Sequence, residues 1–357
     1  VVALELKREM VLGELRSPQA AALSLAGALG GMAVPAGLYL SLYLLMDGGG
    51  PSIHGWGAVM TTDTAFVIGC LAILGARIPP SLRIFLLSLA IFDDIGATMV
   101  IAIGYGQNLN WTALGLSVVG LAMVVATARL GVRNLPIYFA LGGLIWLAMD
   151  ASGIHPTLVG VILGLMTPAH GWVSDDRLRA ILDRVIAYPP GAHWSGDTVD
   201  RQDLRRAGVA TRETLSPVEQ LEILLHPWVA FIIIPLFALA NAGLPIVPDM
   251  VDSVVVIMMA ASFIVGKPLG VLSFAGAAVI LGLAARPAEL RWSMLAAGSL
   301  LTGIGFTMAL FIADLAFDAG LINSAKLGIL AASTVAATSG VLALIWLTTP
   351  VRSWRRS

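Results

Sequence analysis

The sequence predicts an all-α membrane protein of about ten transmembrane helices, and three observations predict it. The 357 residues are 58% hydrophobic and only 12% charged, with a mean hydropathy of +0.89. An ordinary soluble domain carries roughly 25% charged residues, so this chain could not cover a water-facing surface. Apolar runs near the length of a bilayer-crossing helix recur along almost the whole chain. Lys and Arg fall in every second connection between those runs, the alternation that the positive-inside rule demands.

The expected spans are 18–45, 55–76, 82–104, 111–129, 134–149, 155–168, 227–246, 252–284, 293–317 and 323–348. The fifth and sixth are short, and 252–284 is too long for one untilted crossing. Arg77 and Arg83 lie between the second and third spans, Arg129 and Arg133 between the fourth and fifth, and Arg286 and Arg291 between the eighth and ninth. Arg177, Arg179, Arg184, Arg201, Arg205, Arg206 and Arg212 lie between the sixth and seventh. Lys7, Arg8 and Arg16 precede the first span, and Arg352, Arg355 and Arg356 follow the last. The remaining connections, such as MDGGGPSIHG and GQNLN, carry neither residue type. Both ends of the chain are therefore expected on the cytoplasmic side of the membrane.

The high counts of Gly (38) and Pro (18) suit a helical bundle in lipid. There small residues permit close helix packing, and neighbours re-satisfy broken backbone groups. The net charge of -1 provides no basic field for nucleic acid. The single Cys70 excludes an internal disulfide and a cysteine-based metal site, and no cofactor is expected. No signal peptide is visible, and the beginning at Val1 reads as a truncated start with a preceding helix or two missing. Residues 169–221 are polar and interrupted by Pro189, Pro190 and Gly191. Within them SDDRLRAILDRVIA is expected to form an amphipathic helix on the cytoplasmic surface, with the remainder a flexible loop. The whole of 1–357 is expected to be one polytopic domain.

Some charges stand where charges are expensive. All Lys and Arg fall in cytoplasmic connections or ends except Lys267 and Lys326. Lys326, near a span end, is expected to snorkel to the interface. Lys267 (IVGKPLGVLS) sits deep in the eighth span, Asp63 (MTTDTAFVIG) in the second, Asp93 and Asp94 (AIFDDIGATM) in the third, and Asp314 (FIADLAF) in the ninth. A charge at mid-membrane costs several kcal/mol and usually marks function; the plainer alternative is a helix-to-helix salt bridge that only fixes packing. Asp93 and Asp94 project about 100° apart on a helix, so one can meet a lysine while the other faces a cavity. Two neighbouring carboxylates cannot both ionise cheaply in a low dielectric, so the pair can hold a proton near neutral pH. A carboxylate is also a hard oxygen ligand for alkali or alkaline-earth cations. One oxygen site cannot hold a proton and a cation at once, which is the simplest physical basis for exchange. Gly303 and Gly305 (LLTGIGFTM) fit either a broken helix lining a cavity or close packing through small residues. Broken helices would expose their ends inside the membrane; Asp63 could neutralise N-termini and Lys267 C-termini.

At these residues the sequence resembles the NhaA family of bacterial sodium/proton antiporters. The resemblance covers nearly all of the chain and rests on ELKRE (5–9), TTDTAF (61–66), DDIGA (93–97), HPTLVGVILG (155–164), HPWVAF (226–231), FALANAG (237–243), GKPLG (266–270), GIGFTM (303–308) and AKLGIL (325–330), all in family order. It implies an NhaA-like bundle with inverted-topology repeats and two broken helices crossing at mid-membrane. It implies an electrogenic exchange of two protons for one sodium ion, with lithium also accepted, by alternating access in the service of pH and sodium homeostasis. Asp94 resembles the carboxylate at the core of the ion site, and Asp93 the one that pairs with the charge-compensating lysine, here Lys267; sodium is expected at Asp94 and Asp93, with Asp63 and Thr62 also in the ion- and proton-binding site. Asp63 and Thr62 resemble the residues at one helix break, and the Gly303–Gly305 stretch the other. Glu5, Arg8 and Glu9 resemble a cytoplasmic cluster linked to pH response, with Glu222 a further member. A homodimer is implied, although the first family helix and most of the second, which contribute to dimer contacts, have no counterpart here. Residues 169–221 are longer than the family's usual connection. Asp314 stands where a small neutral residue is expected; it either adds a titrating group or faces water near the periplasmic end.

Two other readings compete. An intramembrane aspartyl protease also carries Asp on neighbouring helices, but it requires a GxGD sequence that neither Asp63 nor Asp93 has. A channel or a proton-coupled carrier of an organic solute is the other. A channel needs a continuous lining rather than one compact charged cluster, and a solute carrier wants aromatic or amide groups at mid-depth that the spans lack.

Overall fold

The computed structural model describes residues 2–11, 18–47, 50–104, 110–132, 134–154, 156–169, 179–180, 183, 215–242, 251–318 and 320–349. Among these residues the chain is helical throughout, without a strand. Helix α1 (Val2–Val11) is followed by α2 (Pro18–Met46), a 3₁₀ segment Pro51–Met60, α3 (Thr64–Leu74), α4 (Pro80–Gly104), α5 (Trp111–Arg129), α6 (Leu135–Ala151) and α7 (Thr157–Met166). The second half contains α8 (Pro217–Trp228), α9 (Ile234–Ala242), α10 (Ser253–Ala261), α11 (Lys267–Ile280), α12 (Trp292–Leu301), α13 (Phe306–Ala316) and α14 (Ile322–Thr348). Over the described residues each of the expected spans overlaps a helix or a bent helix pair. By length and composition, among the described residues, five helices can cross a bilayer, or up to seven with each of two bent pairs as one span, fewer than the ten expected. The pairs are the 3₁₀ segment with α3, bent by 42°, and α12 with α13, bent by 51°.

Two expected spans differ in detail. The seventh begins at Pro217 rather than at 227, because Ser216 and Glu219 form a capping box that starts the helix there. Pro227 does not end it; the π turn Val229–Ile233 follows and carries the helix into α9. The eighth is one crossing, Ser253–Ile280, of 28 residues. At about 1.5 Å per residue it is about 42 Å long, so it must tilt to fit a hydrocarbon core of roughly 30 Å. Within it the π turn Ser262–Gly266 precedes Lys267, and the Lys267 backbone N–H donates to the Ser262 carbonyl. That wide turn falls where Pro268 lacks an N–H for a regular helical bond. The expected helix at SDDRLRAILDRVIA lies almost entirely outside the described residues, as does most of 169–221.

The bundle core comes in two parts. One contains Leu23, Leu71, Leu82, Phe85, Leu86, Leu89, Val271, Ala275, Leu295 and Leu301. The other contains Tyr39, Tyr43, Val59, Met258, Met259, Phe263, Leu310, Ile312 and Ile329. In the two bent pairs and in the long span Ser253–Ile280, the switch from one cluster to the other falls at a charged residue or a break: Asp63 between Val59 and Leu71, Lys267 between Phe263 and Val271, and the 302–305 break between Leu301 and Leu310; α2 and α14 run through both clusters unbroken. The polar residues thus form a thin layer between two apolar plugs. Helices α2 and α11 touch backbone to backbone beside that layer. A Cβ on Gly30 would lie 2.1 Å from the Gly270 carbonyl oxygen, and one on Gly266 would lie 2.9 Å from Pro35 Cα. Gly266 and Gly270 are the small residues, four apart, that let helices in lipid approach this closely.

The charges of the last two helices meet one another. Lys326, expected to snorkel to the interface, is paired: its Nζ lies 2.8 Å from Asp314 Oδ1, linking α14 to α13. Pairing lowers the cost of holding either charge in an apolar span.

Candidate ion-exchange site

The two breaks meet each other. Residues Thr61–Asp63 are extended, and the Asp63 backbone N–H donates to the Ile304 carbonyl across the crossing (2.6 Å). Asp63 is the N-cap of α3, its Oδ1 accepting from the Phe66 N–H (3.2 Å). Its Oδ2 accepts from the Thr307 N–H (2.8 Å) and hydroxyl (2.5 Å), in the first turn of α13. One buried carboxylate therefore closes the N-termini of both broken helices. Each helix end carries roughly half a positive charge, so the two together balance one carboxylate. Phe66 and Phe306 pack edge to face over the same turns, ring centroids 4.8 Å apart.

The glycines on the other side of the crossing serve close approach. A Cβ on Gly303 would lie 2.7 Å from the Phe263 carbonyl oxygen, and one on Gly305 would lie 2.4 Å from the Phe263 ring. Neither has a positive φ. The chain breaks here, and the small residues make room for the π turn of the lysine-bearing helix.

Lys267 is wholly buried. Its Nζ donates to Asp93 Oδ2 (2.8 Å) and to the Thr62 hydroxyl (2.5 Å), and the Thr62 hydroxyl donates onward to the Thr302 carbonyl (3.0 Å) just past the end of α12. The expectation that Lys267 itself neutralises helix C-termini is thus corrected. The ammonium faces a carboxylate, and Thr62 relays it to a single C-terminal carbonyl. Asp93 Oδ1 is buried with no hydrogen-bond partner among the described residues, so Lys267 is its charge partner there. Asp94, one residue on, points elsewhere: its Oδ2 accepts from the Thr64 hydroxyl (2.7 Å). Asp94 is 9% exposed and Asp93 1%, so of the adjacent pair Asp94 is the more accessible. Among the described residues no cluster of three or more His, Cys, Asp or Glu could cage a metal ion. A cation at Asp94 would therefore draw its other ligands from hydroxyls, backbone carbonyls and water.

A second polar cluster ties α1 to α8. Arg8 Nη1 lies 2.5 Å from Glu222 Oε1, and Leu4 of α1 and Val218 of α8 share one buried apolar cluster. The Glu5 carboxyl is held above its ordinary value, first by burial and then by the Glu222 charge, with Arg8 and His226 pulling it back. Glu9 lies in α1, but its side chain is outside the described residues, as is His155.

Sequence reasoning singled out Asp63, Asp93, Asp94, Lys267 and Thr62, and the structure brings all five to the crossing. It places Thr62 with the lysine, and Thr64 on Asp94. The sequence marks Thr64 beside Asp63 in TTDTAF without saying that it meets Asp94, and Thr307 was visible in GIGFTM, two residues past Gly305. Phe263 had no sequence signal, because an apolar residue in an apolar span is unremarked until its neighbours are known.

Comparison with known proteins identifies the family. A family model described as "Na+/H+ antiporter 1" matches residues 1–344. The Na(+)/H(+) antiporter NhaA of Rhizobium meliloti (strain 1021) is 64% identical over 352 residues, covering 99% of this chain and 80% of that protein. The Na(+)/H(+) antiporter NhaA 2 of Acidiphilium cryptum (strain JF-5) is 60% identical over 344 residues, 96% of this chain and 76% of that protein. The Na(+)/H(+) antiporter NhaA 2 of Vibrio vulnificus (strain CMCP6) is 52% identical over 344 residues, again 96% and 76%. A match over nearly the whole chain, at these identities, makes the protein a member of the Na+/H+ antiporter 1 family, the NhaA antiporters.

Proposed function

We propose that the protein exchanges sodium or lithium for protons across the bacterial inner membrane, with Asp94 as the site where cation and proton compete. The observation that carries this reading is the division of labour between the adjacent carboxylates. Lys267 takes up the charge of Asp93, while Asp94 has a hydroxyl for a partner and remains open to a cation. A proton or a cation on Asp94 neutralises the same oxygens, so binding one expels the other. The Asp93–Lys267 pair acts as one titrating unit, supplying the second proton of an electrogenic cycle. Asp63, Thr62 and the glycines of the second break keep the crossing assembled while access alternates. Glu5, Arg8, Glu9 and Glu222 form the pH-responsive cluster on the cytoplasmic side, where both ends of the chain lie. The bilayer is the protein's surroundings and a homodimer its assembly. The protease and solute-carrier readings find no support: Asp63 caps two helices and Asp93 pairs with Lys267, and each relative named above is an antiporter by name.

The test is sodium-driven proton flux in proteoliposomes, for the wild type and Asp94→Asn, with and without a valinomycin-imposed potential. The wild type should exchange and respond to the potential, which is worth about 2.3 kcal/mol per charge per 100 mV, and the variant should not exchange. Near-normal flux in Asp94→Asn removes the assignment, and indifference to the potential removes electrogenicity.

A further inference from the structure

We infer that the Thr64 hydroxyl is a second protein ligand of the transported cation, beside Asp94, and so sets the protein's affinity for it. The inference rests on the reading of Asp94 given above and adds a residue to it. Around the breaks most threonine hydroxyls are committed to partners that do not change charge during exchange. Thr61 donates to the Ala58 carbonyl, Thr98 to the Asp94 carbonyl and Thr302 to the Ser299 carbonyl. Thr62 is held between Lys267 and the Thr302 carbonyl, and Thr307 caps onto Asp63. Thr64 alone of these lies on the Asp94 carboxylate, 2.7 Å from Oδ2.

That position suits a ligand for three reasons. Thr64 is the first residue of α3, directly after the Asp63 cap, so the break that Asp63 holds closed also fixes the hydroxyl. A hydroxyl carries one donor and two acceptor lone pairs and can rotate. It donates to the bare carboxylate, then turns its proton away and offers a lone pair when a cation arrives. Two hard oxygens 2.7 Å apart can sit side by side in the shell of one small cation. The charges nearest Asp94 favour the same side. Lys267 stands with Asp93 on α4's other projection and repels a cation there, and Asp63 in the break is spent on two helix ends. The cation is left to the side where Thr64 stands, which is also the more exposed side of the carboxylate pair.

The experiment compares wild type, Thr64→Val, Thr64→Ala, Thr64→Ser and Asp94→Asn in proteoliposomes. It measures KM and kcat for sodium at fixed pH, together with the sodium concentration that half-releases protons from purified protein. Losing one neutral polar contact should raise the sodium KM and the half-release concentration about fivefold in Thr64→Val, with a much smaller change in kcat. Thr64→Ser should bring both back towards wild type. Thr64→Ala repeats the loss of the hydroxyl should the valine variant fail to fold. An unchanged KM in both hydroxyl-free variants, while Asp94→Asn is dead, overturns the ligand role and leaves the Asp94 reading standing. A loss of kcat and thermal stability that Thr64→Ser does not restore overturns it too, by assigning Thr64 to structure alone. Exchange by Asp94→Asn overturns the reading beneath it.

Discussion

Removing the Lys267 side chain leaves Asp93 without a charge partner. Lys267 and Asp93 are both essentially inaccessible, and the Nζ to Oδ2 distance is 2.8 Å. Asp93 Oδ1 already lacks a hydrogen-bond partner among the described residues, so in Lys267→Ala both carboxylate oxygens are left without one. The Thr62 hydroxyl loses its donor at the same stroke. Breaking one member of a buried pair typically costs about 3–5 kcal/mol, and the doubly orphaned Asp93 argues for the upper part of that range. Asp93→Asn removes the carboxylate charge and leaves a buried ammonium, at a similar cost. The double variant carries neither orphan charge and should lose less than the sum of the singles, by about 1–3 kcal/mol. The assay is a double-mutant cycle of unfolding free energies in one detergent, with tryptophan fluorescence as the probe. Losses that add to within about 0.5 kcal/mol would show that the two residues do not interact energetically, whatever their distance.

Three further outcomes follow from the same geometry. Asp63→Asn keeps one oxygen acceptor for two helix N-termini, so it should lower stability by about 1–2 kcal/mol while slowing exchange rather than abolishing it; melting curves and sodium-driven flux on one preparation check both. Gly305→Ala puts a methyl into the Phe263 ring and should cost about 1–3 kcal/mol, part of which Phe263→Leu should restore in a combined thermal-melt series; no rescue would mean that the contact is not the source of the cost. Glu5 is held above its ordinary 4.5 by burial and by Glu222, so its stabilising contribution is full below that ordinary value and is lost as pH rises through the raised one. The wild type should therefore lose thermal stability more steeply than Glu5→Gln as pH rises above that ordinary value, and parallel curves would refute it.

Much of the fold was legible because lipid makes errors expensive. A span must be apolar and long, and Lys and Arg must alternate, so helices such as 111–129 and 323–348 could be placed to within a residue or so. Charges that survive in such spans announce themselves, which is why Asp63, Asp93, Asp94 and Lys267 were found together. Boundaries governed by local caps were harder: the Ser216–Glu219 box starts its helix ahead of Pro227, a residue that reads in isolation as a stop. Side-chain direction was hardest. Periodicity says that Asp93 and Asp94 diverge, but not that Thr64 rather than Thr62 reaches Asp94, because the extended stretch 61–63 obeys no helical period. The Asp314–Lys326 pair was within reach of the same rule that exposed Lys267, had each unusual charge been asked for its mate.

The backbone contact between α2 and α11 limits how the protein can move. With Gly30 against the Gly270 carbonyl and Gly266 against Pro35, the helices meet backbone to backbone at those two points, with no side chain between them there to act as a bearing. One cannot slide along the other without driving atoms into a carbonyl. Shear between packed helices normally relies on such compliant side chains. Lys267 must therefore travel with α2 or stay still with it, and the two helices form a single strut. Whatever part of the bundle tips to expose Asp94 first to one side and then to the other, the dividing line cannot run along this seam. It has to fall on joints made of rotatable groups, and the hydroxyl and carboxylate bonds at the helix crossing are joints of that kind.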